Sequence, residues 1–262
     1  MILDRFKLDG KVALVTGGGR GIGRGIALAY AEAGADVVVC ARSQEQIDDT
    51  VREIEARGTR GLAVACDVTK REQLEHLVDR TLETFGRIDV LVNNAGGWPP
   101  KDALFTSEKE FETAFRFNVT TAFVLTRLVV PKMVETAGAG SIVNISSMAG
   151  RLHSPGFVAY GTAKAALSFM TQELAQDFAP KVRVNAIAVG SVETEALGTI
   201  LDENTRQVMI DKTPLGRLGQ VEDIAACALF LASPAGSYVT GEIYGVSGGL
   251  VAVNFDMPRT KL

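Results

Sequence analysis

Tyr160 and Lys164 stand four residues apart in an Ala-rich stretch. On a helix that spacing puts a phenol and an ammonium on one face. A phenol with a pKa of about 10 exchanges protons poorly at neutral pH, and a cation held close favours the phenolate and draws the value down. Such a pair suits general acid–base chemistry on an alcohol or a carbonyl. Ser147 follows the apolar run Ile142 to Ile145, at the expected end of a strand, and can aim a hydroxyl at the same point from another side. Tyr-x-x-x-Lys is common on helices, and a solvated tyrosine beside a surface lysine has the same spacing. Its meaning depends on what the rest of the chain builds around it.

The elements that would position these groups begin at Lys11 to Thr16, a short apolar run that suits a buried parallel strand. Gly17-Gly18-Gly19-Arg20-Gly21-Ile22-Gly23 follows and opens an Ala-rich helix ending near Ala33, before Gly34. Strand, glycine turn and helix in that order make a phosphate cradle: the backbone comes close to a pyrophosphate, and the helix N-terminus offers free N–H groups. A second strand, Asp36 to Ala41, ends where the adenosine ribose of a dinucleotide would lie. No carboxylate stands there to accept from a ribose 2′-hydroxyl; Ala41 is followed by Arg42, and Arg20 lies in the glycine turn. Two guanidiniums suit a 2′-phosphate, so NADP(H) is favoured over NAD(H).

Further strands are expected at Gly61 to Cys66, Ile88 to Val92, Arg183 to Ala188 and Tyr244 to Val246. Helices between them are marked by Ser43 with Gln46, Thr69 with Glu72 and Ser107 with Glu110, each a candidate capping box. This alternation predicts an α/β fold, a doubly wound, mostly parallel Rossmann-type sheet with helices on both faces, formed by residues 1–262 as one domain. A segment over about 191–215 reads as a lid on the crevice at the strand ends. Trp98 and His153 are candidates to line the substrate cleft.

At 262 residues and 47% hydrophobic content the chain can bury a large core. Its net charge of −4, with no basic tract interleaved with aromatics, argues against nucleic acid or an anionic membrane as partner. Small molecules are the expected partners. Cys40, Cys66 and Cys227 show no C-x-x-C spacing and read as core residues of a reducing compartment; no metal site is expected. The N-terminal segment is charged throughout and no 18-residue apolar run occurs, which points to the cytoplasm. The ending Arg259-Thr260-Lys261-Leu262 has Thr where a peroxisomal signal has Ser, and is read as a chance likeness.

Gly17, Gly21 and Gly23 fit T-G-x-x-x-G-x-G from Thr16, and with Asp67-Val68, Asn93 to Gly96, Asn118, Ser147, Tyr160/Lys164 and Gly190 to Thr194 the chain resembles the short-chain dehydrogenase/reductase family over roughly residues 8 to 250. The likeness is to the single-domain branch, closest in look to bacterial 7α-hydroxysteroid dehydrogenases and 3-oxoacyl-carrier-protein reductases. The resemblance implies that Tyr160 exchanges the substrate proton, Lys164 lowers its pKa and binds the nicotinamide ribose, Ser147 donates to the substrate oxygen, and Asn118 holds a relay water. It also implies cofactor contacts from Gly17, Gly19, Arg20, Gly21, Ile22, Gly23, Arg42, Asp67, Val68, Asn94, Ala95, Gly96, Gly190, Val192 and Thr194. The activity implied is hydride transfer between NADP(H) and a secondary alcohol or ketone by a homotetramer. Val189 stands where the family usually has proline, and a looser loop is expected there. A catalytically idle nucleotide sensor would not need the intact Ser, Tyr and Lys, and an epimerase or dehydratase on sugar nucleotides usually carries a further substrate domain.

Overall fold

The alternation of apolar runs and amphipathic stretches produces seven parallel strands in one sheet. They are β1 (Val12–Thr16), β2 (Asp36–Ala41), β3 (Gly61–Ala65), β4 (Val90–Asn93), β5 (Gly140–Ser147), β6 (Val182–Val189) and β7 (Ile243–Val246). Their order is β3-β2-β1-β4-β5-β6-β7. The computed structural model describes residues 1–198 and 202–255; the ending Arg259 to Leu262 and part of the expected lid lie outside these.

Side chains of β1 alternate between the faces, as the period of two requires. Ala13 and Val15 join a core layer with Ile26, Tyr30, Ile47, Ile224 and Leu231, residues of the helices α1 (Gly21–Glu32), α2 (Gln44–Glu55) and α9 (Val221–Ala232). Val12 and Leu14 join the opposite layer with Leu74, Leu77, Leu125, Val129, Met133 and Leu174. These come from α3 (Arg71–Phe85), α5 (Thr121–Ala137) and α6 (Val158–Phe178). All five residues of β1 are buried, because both faces of the sheet are covered. Between β1 and β4 the direction of winding reverses, and the crevice beyond the strand C-termini opens at that switch point.

Local structure departs from the sequence expectations in three places. Thr69 does not cap α3. Its N–H and hydroxyl both donate to the Asp67 carboxylate, at 3.0 and 2.7 Å, and Lys70 takes the N-cap position without a side-chain bond. The single helix expected from Ser107 to about Glu135 is continuous but changes register: α4 (Glu108–Phe115) passes through a π-helical turn, Arg116–Thr120, into α5. The loop after β6 is tied down rather than loosened at Val189, which pairs in register with Ser147 and Val246. Valine keeps the ladder N–H that proline lacks, and further bonds from Glu193 N to Gly219 O and Gly219 N to Ser191 O hold the following residues.

Among the described residues, Glu108–Ala137 is long and apolar enough to cross a membrane by length and hydropathy alone. Leu125, Val129 and Met133 of this stretch are nonetheless buried in the core of the sheet, which accounts for its apolar face.

Asp89, 5% exposed, fastens the start of β4 to its surroundings. It accepts from Val12 N at 3.0 Å, Lys11 Nζ at 3.1 Å and two nitrogens of Arg87 at 2.8 and 2.7 Å. Burial alone would push this carboxyl up; the bonds from Arg87, Val12 and Lys11 outweigh it and hold the group below its ordinary value of 3.8. Asp89→Ala is expected to cost about 2–3 kcal/mol in urea unfolding, since a buried N–H loses its acceptor while both cations keep access to water. A folded-state pKa below the unfolded one means this stabilisation is present above about pH 3.8 and lost as pH falls through the lower folded value.

Candidate active site

The glycine turn can close only because side chains are missing. A Cβ on Gly23 would stand 2.3 Å from Gly17 O and 2.4 Å from Asn94 Nδ2, closer than any real contact. Asn94 Nδ2 donates to Thr16 O at 2.9 Å and Gly17 O at 3.2 Å, clamping the end of β4 to the turn. Thr16 Oγ1 completes the clamp by accepting from the Asn94 and Ala95 N–H groups, both at 3.0 Å. Arg20 is the N-cap of α1 and makes no side-chain capping bond, so the first-turn N–H groups of α1 remain available to an anion.

The cavity above this turn, about 930 Å³, is lined by Gly17, Gly19, Arg20, Gly21, Ile22, Gly23, Arg42, Asp67, Val68, Asn94, Ala95, Gly96 and Thr194. Arg20 and Arg42 are exposed at its rim. The Asp67 carboxyl is held below its ordinary value, chiefly by the Thr69 N–H, with the Arg42 charge contributing.

A second cavity of about 440 Å³ adjoins the first through shared walls at Ile22, Asn94, Gly96, Trp98 and Thr194. Ser147, Tyr160, Lys164, Gly190 and Val192 line it. Ser147 is the last residue of β5, and Tyr160 lies in the first turn of α6. Two contacts lock these elements together. Ser146 Oγ donates to Lys164 O at 3.0 Å, and Gly161 lets α6 approach so closely that a Cβ there would lie 2.8 Å from Ala149 O. Ser147 Oγ accepts from Ala149 N at 3.1 Å, which leaves its proton free to point towards Tyr160.

The electrostatics differ from the sequence expectation. Burial pushes the Tyr160 phenol up, and it is a hydrogen bond from Ser147 that works against this. Lys164 Nζ lies 5.7 Å from the phenol ring centroid and donates to Ile145 O at 2.8 Å. Its ammonium is therefore turned towards β5 rather than held against the phenol oxygen. Burial also lowers the Lys164 pKa to about 8, because a charge in a low-dielectric site is disfavoured.

Asn118 does not line either cavity. It sits behind Gly96, 2% exposed, in the π turn. Its Nδ2 donates to Ala114 O at 2.9 Å and Gly97 O at 3.1 Å, and its Oδ1 accepts from Gly97 N at 2.8 Å. A side chain at position 96 would meet Asn118 Oδ1 at 2.7 Å and Lys164 Nζ at 3.1 Å. Gly96 thus keeps the space between the amide and the ammonium open. π turns recur at functional sites because they displace one residue from helical register, and here the displaced register carries Asn118.

Of the two candidates for the substrate wall, Trp98 lines both cavities. His153 is exposed and lines neither. Sequence reasoning missed Thr16 as the hub between β1 and β4, although its place at the end of a strand before a glycine turn was visible. It also missed the segment Leu250 to Phe255, whose residues Leu250, Val253, Asn254 and Phe255 form part of the second cavity.

The chain is similar to proteins that share this arrangement. A family model described as enoyl-(acyl carrier protein) reductase matches residues 17–251. An uncharacterised oxidoreductase of Mycobacterium tuberculosis is 50% identical, with all of both chains covered. The 7α-hydroxysteroid dehydrogenase of Escherichia coli K12 is 42% identical over 94% of this chain and 96% of its own. A solved 7α-hydroxysteroid dehydrogenase, complexed with NADH and 7-oxo glycochenodeoxycholic acid, superposes with a TM-score of 0.92 at 42% identity, covering 95% of this chain and 97% of the other. With its seven-stranded parallel sheet, glycine turn and Ser147, Tyr160 and Lys164 gathered in one cleft, the chain belongs to the short-chain dehydrogenase/reductase family of NAD(P)-dependent oxidoreductases.

Proposed function

We propose that the protein interconverts a secondary alcohol and a ketone, with NADP(H) as cofactor and Tyr160 as the proton donor and acceptor. The observation that carries this reading is the joining of two cavities, one over the glycine turn with Arg20 and Arg42 at its rim, the other holding Ser147, Tyr160 and Lys164. A dinucleotide suits the first because Gly17, Gly19, Gly21 and Gly23 line it with bare backbone and the first-turn N–H groups of α1 carry no side-chain cap. Gly17, Gly19, Gly21, Ile22 and Gly23 would hold the pyrophosphate, Asp67 and Val68 the adenine, and Asn94, Ala95, Gly96, Gly190, Val192 and Thr194 the nicotinamide end. Bound there, the cofactor supplies or accepts the hydride. The Ser147 proton, which reaches the Tyr160 phenol, turns to the substrate oxygen once a ketone lies beside the pair, where negative charge grows during reduction. Tyr160 delivers the proton that completes the alcohol, and Lys164 returns a proton from solvent through a water held beside Gly96, next to the Asn118 amide.

The preference for NADP(H) is supported by Arg42 directly after β2 and by the absence of a carboxylate at that strand end. NAD(H) is the second reading, favoured by the solved relative that carries NADH. Purified protein assayed with NADPH and NADH against a panel of steroid, acyl-thioester and bicyclic ketones distinguishes them; failure to oxidise either cofactor with any ketone would refute the reading.

Lys164 provides a pH test. With its pKa near 8, it is charged below and neutral above that value. kcat/KM for ketone reduction is expected to be flat below about pH 8 and to fall above it. Lys164→Arg keeps the charge at higher pH and should remove the fall; a profile unmoved by that substitution assigns the fall to another group.

The protein acts on a small molecule, in our reading within the cytoplasm, where Cys40, Cys66 and Cys227 stay reduced. The exposed Phe111, Phe115, Phe123 and Phe169 on α4, α5 and α6 support assembly of these helices into a homotetramer, since clustered surface aromatics mark association faces.

A further inference from the structure

The second cavity has a wall that comes from the far end of the described chain. Leu250 to Phe255 follows β7 and meets α8 (Glu203–Asp211), which with the short α7 (Glu195–Gly198) makes up the described helices of the lid. At the junction sits Asn254, a polar side chain only 2% exposed. Its Oδ1 accepts from Ser191 Oγ at 2.7 Å, in the loop that leaves β6. Its Nδ2 donates to Met209 O at 3.1 Å, in α8, and to Thr213 Oγ1 at 3.1 Å, just beyond it. Thr213 Oγ1 donates to Met209 O at 2.7 Å and closes the ring.

One amide thus joins the β6 loop, the lid helix and the C-terminal segment. Buried amides are tolerated when their positions are filled, and are then strongly directional. An apolar residue would fill the space equally well but would not fix three segments in one register. Met209 is 3% and Thr213 5% exposed, so no water competes readily for these bonds.

We propose that Asn254 is a positioning residue for the substrate: it pins α8 and the C-terminal wall over the cavity, and through that fixed gap selects which ketones fit. The inference rests on the proposed ketone chemistry for its meaning. Its structural part can be tested without it.

Hydrogen exchange of the full-length protein, with no cofactor or substrate, reads the pin directly. Asn254→Leu, similar in branched shape but without donor or acceptor, is expected to raise exchange of the α8 amides about tenfold or more, with the amides of β1 and β4 unchanged. Thr213→Val should reproduce part of the rise and Thr213→Ser should reverse it. With NADPH and trans-1-decalone as probe, Asn254→Leu is expected to raise the ketone KM about tenfold, with a smaller change in kcat and an unaltered affinity for NADPH. Cyclohexanone, a smaller ketone, should be affected less. Unchanged exchange at α8 would overturn the pin. Faster exchange with an unchanged KM would overturn its role in selection, as would equal losses in kcat, KM and cofactor affinity, which mark general damage. If no ketone is reduced at all, the proposed chemistry fails while the exchange result still decides the pin.

Discussion

Tyr160→Phe is expected to lower kcat for ketone reduction by about 10³-fold or more while changing NADPH affinity less than about threefold. The substitution removes one oxygen and keeps the ring in its place near Phe157, whose centroid lies 6.4 Å away. Ser147 then has no phenol to donate to, yet its oxygen still accepts from Ala149, so the cleft should keep its shape. The loss would therefore belong to proton transfer. Single-turnover kinetics with bound cofactor separate it from binding; near-normal turnover would mean that the proton comes from another group.

Arg42→Asp should reverse the cofactor preference, lowering the ratio of kcat/KM for NADPH over NADH by about 100-fold. Two effects combine: a charge-assisted contact to the 2′-phosphate is lost, and a carboxylate appears that repels phosphate and can accept from a ribose hydroxyl. The site tolerates the change because Arg42 is exposed and lies at the end of β2 rather than in its buried run. Parallel titrations with the two cofactors measure it. An unchanged ratio would place selection elsewhere, with Arg20 the next candidate.

Much of this architecture was legible in the chain because local signals agreed with the global fold. The runs that became β1 and β2 are apolar almost throughout and covered on both faces, so their bounds could be read closely; β5 and β6, interrupted by Asn144 and by Arg183 and Asn185, reach past the expected Ile142 to Ile145 and Arg183 to Ala188 to Gly140–Ser147 and Val182–Val189. Gly17 and Gly23 marked the cradle because the backbone approach there is too close for a Cβ, and Gly21 because its φ of +51° is one that other residues rarely adopt. Ser107 was readable as a cap because both halves of its box form.

What was not legible depends on competition between partners distant in sequence or unequal in strength. Thr69 has the composition of a cap, but the Asp67 carboxylate two residues away is a stronger acceptor for its N–H and hydroxyl. The π turn at Arg116–Thr120 has no composition of its own; it appears because Asn118 bonds simultaneously to Ala114 and Gly97. Lys164 was expected to act on the phenol by proximity along α6, yet its ammonium donates to the Ile145 carbonyl on β5. Asn254 is separated from Ser191 by 63 residues, and no local pattern announces a contact of that kind.

The most direct test follows the hydride itself. NADPH carrying deuterium at both C4 positions, incubated with the protein and a reducible ketone of the panel, is expected to yield an alcohol bearing one deuterium on the carbinol carbon, read by mass spectrometry, with Tyr160→Phe giving almost none. Alcohol without deuterium, or full yield from the Phe variant, would contradict direct hydride transfer completed by the Tyr160 proton.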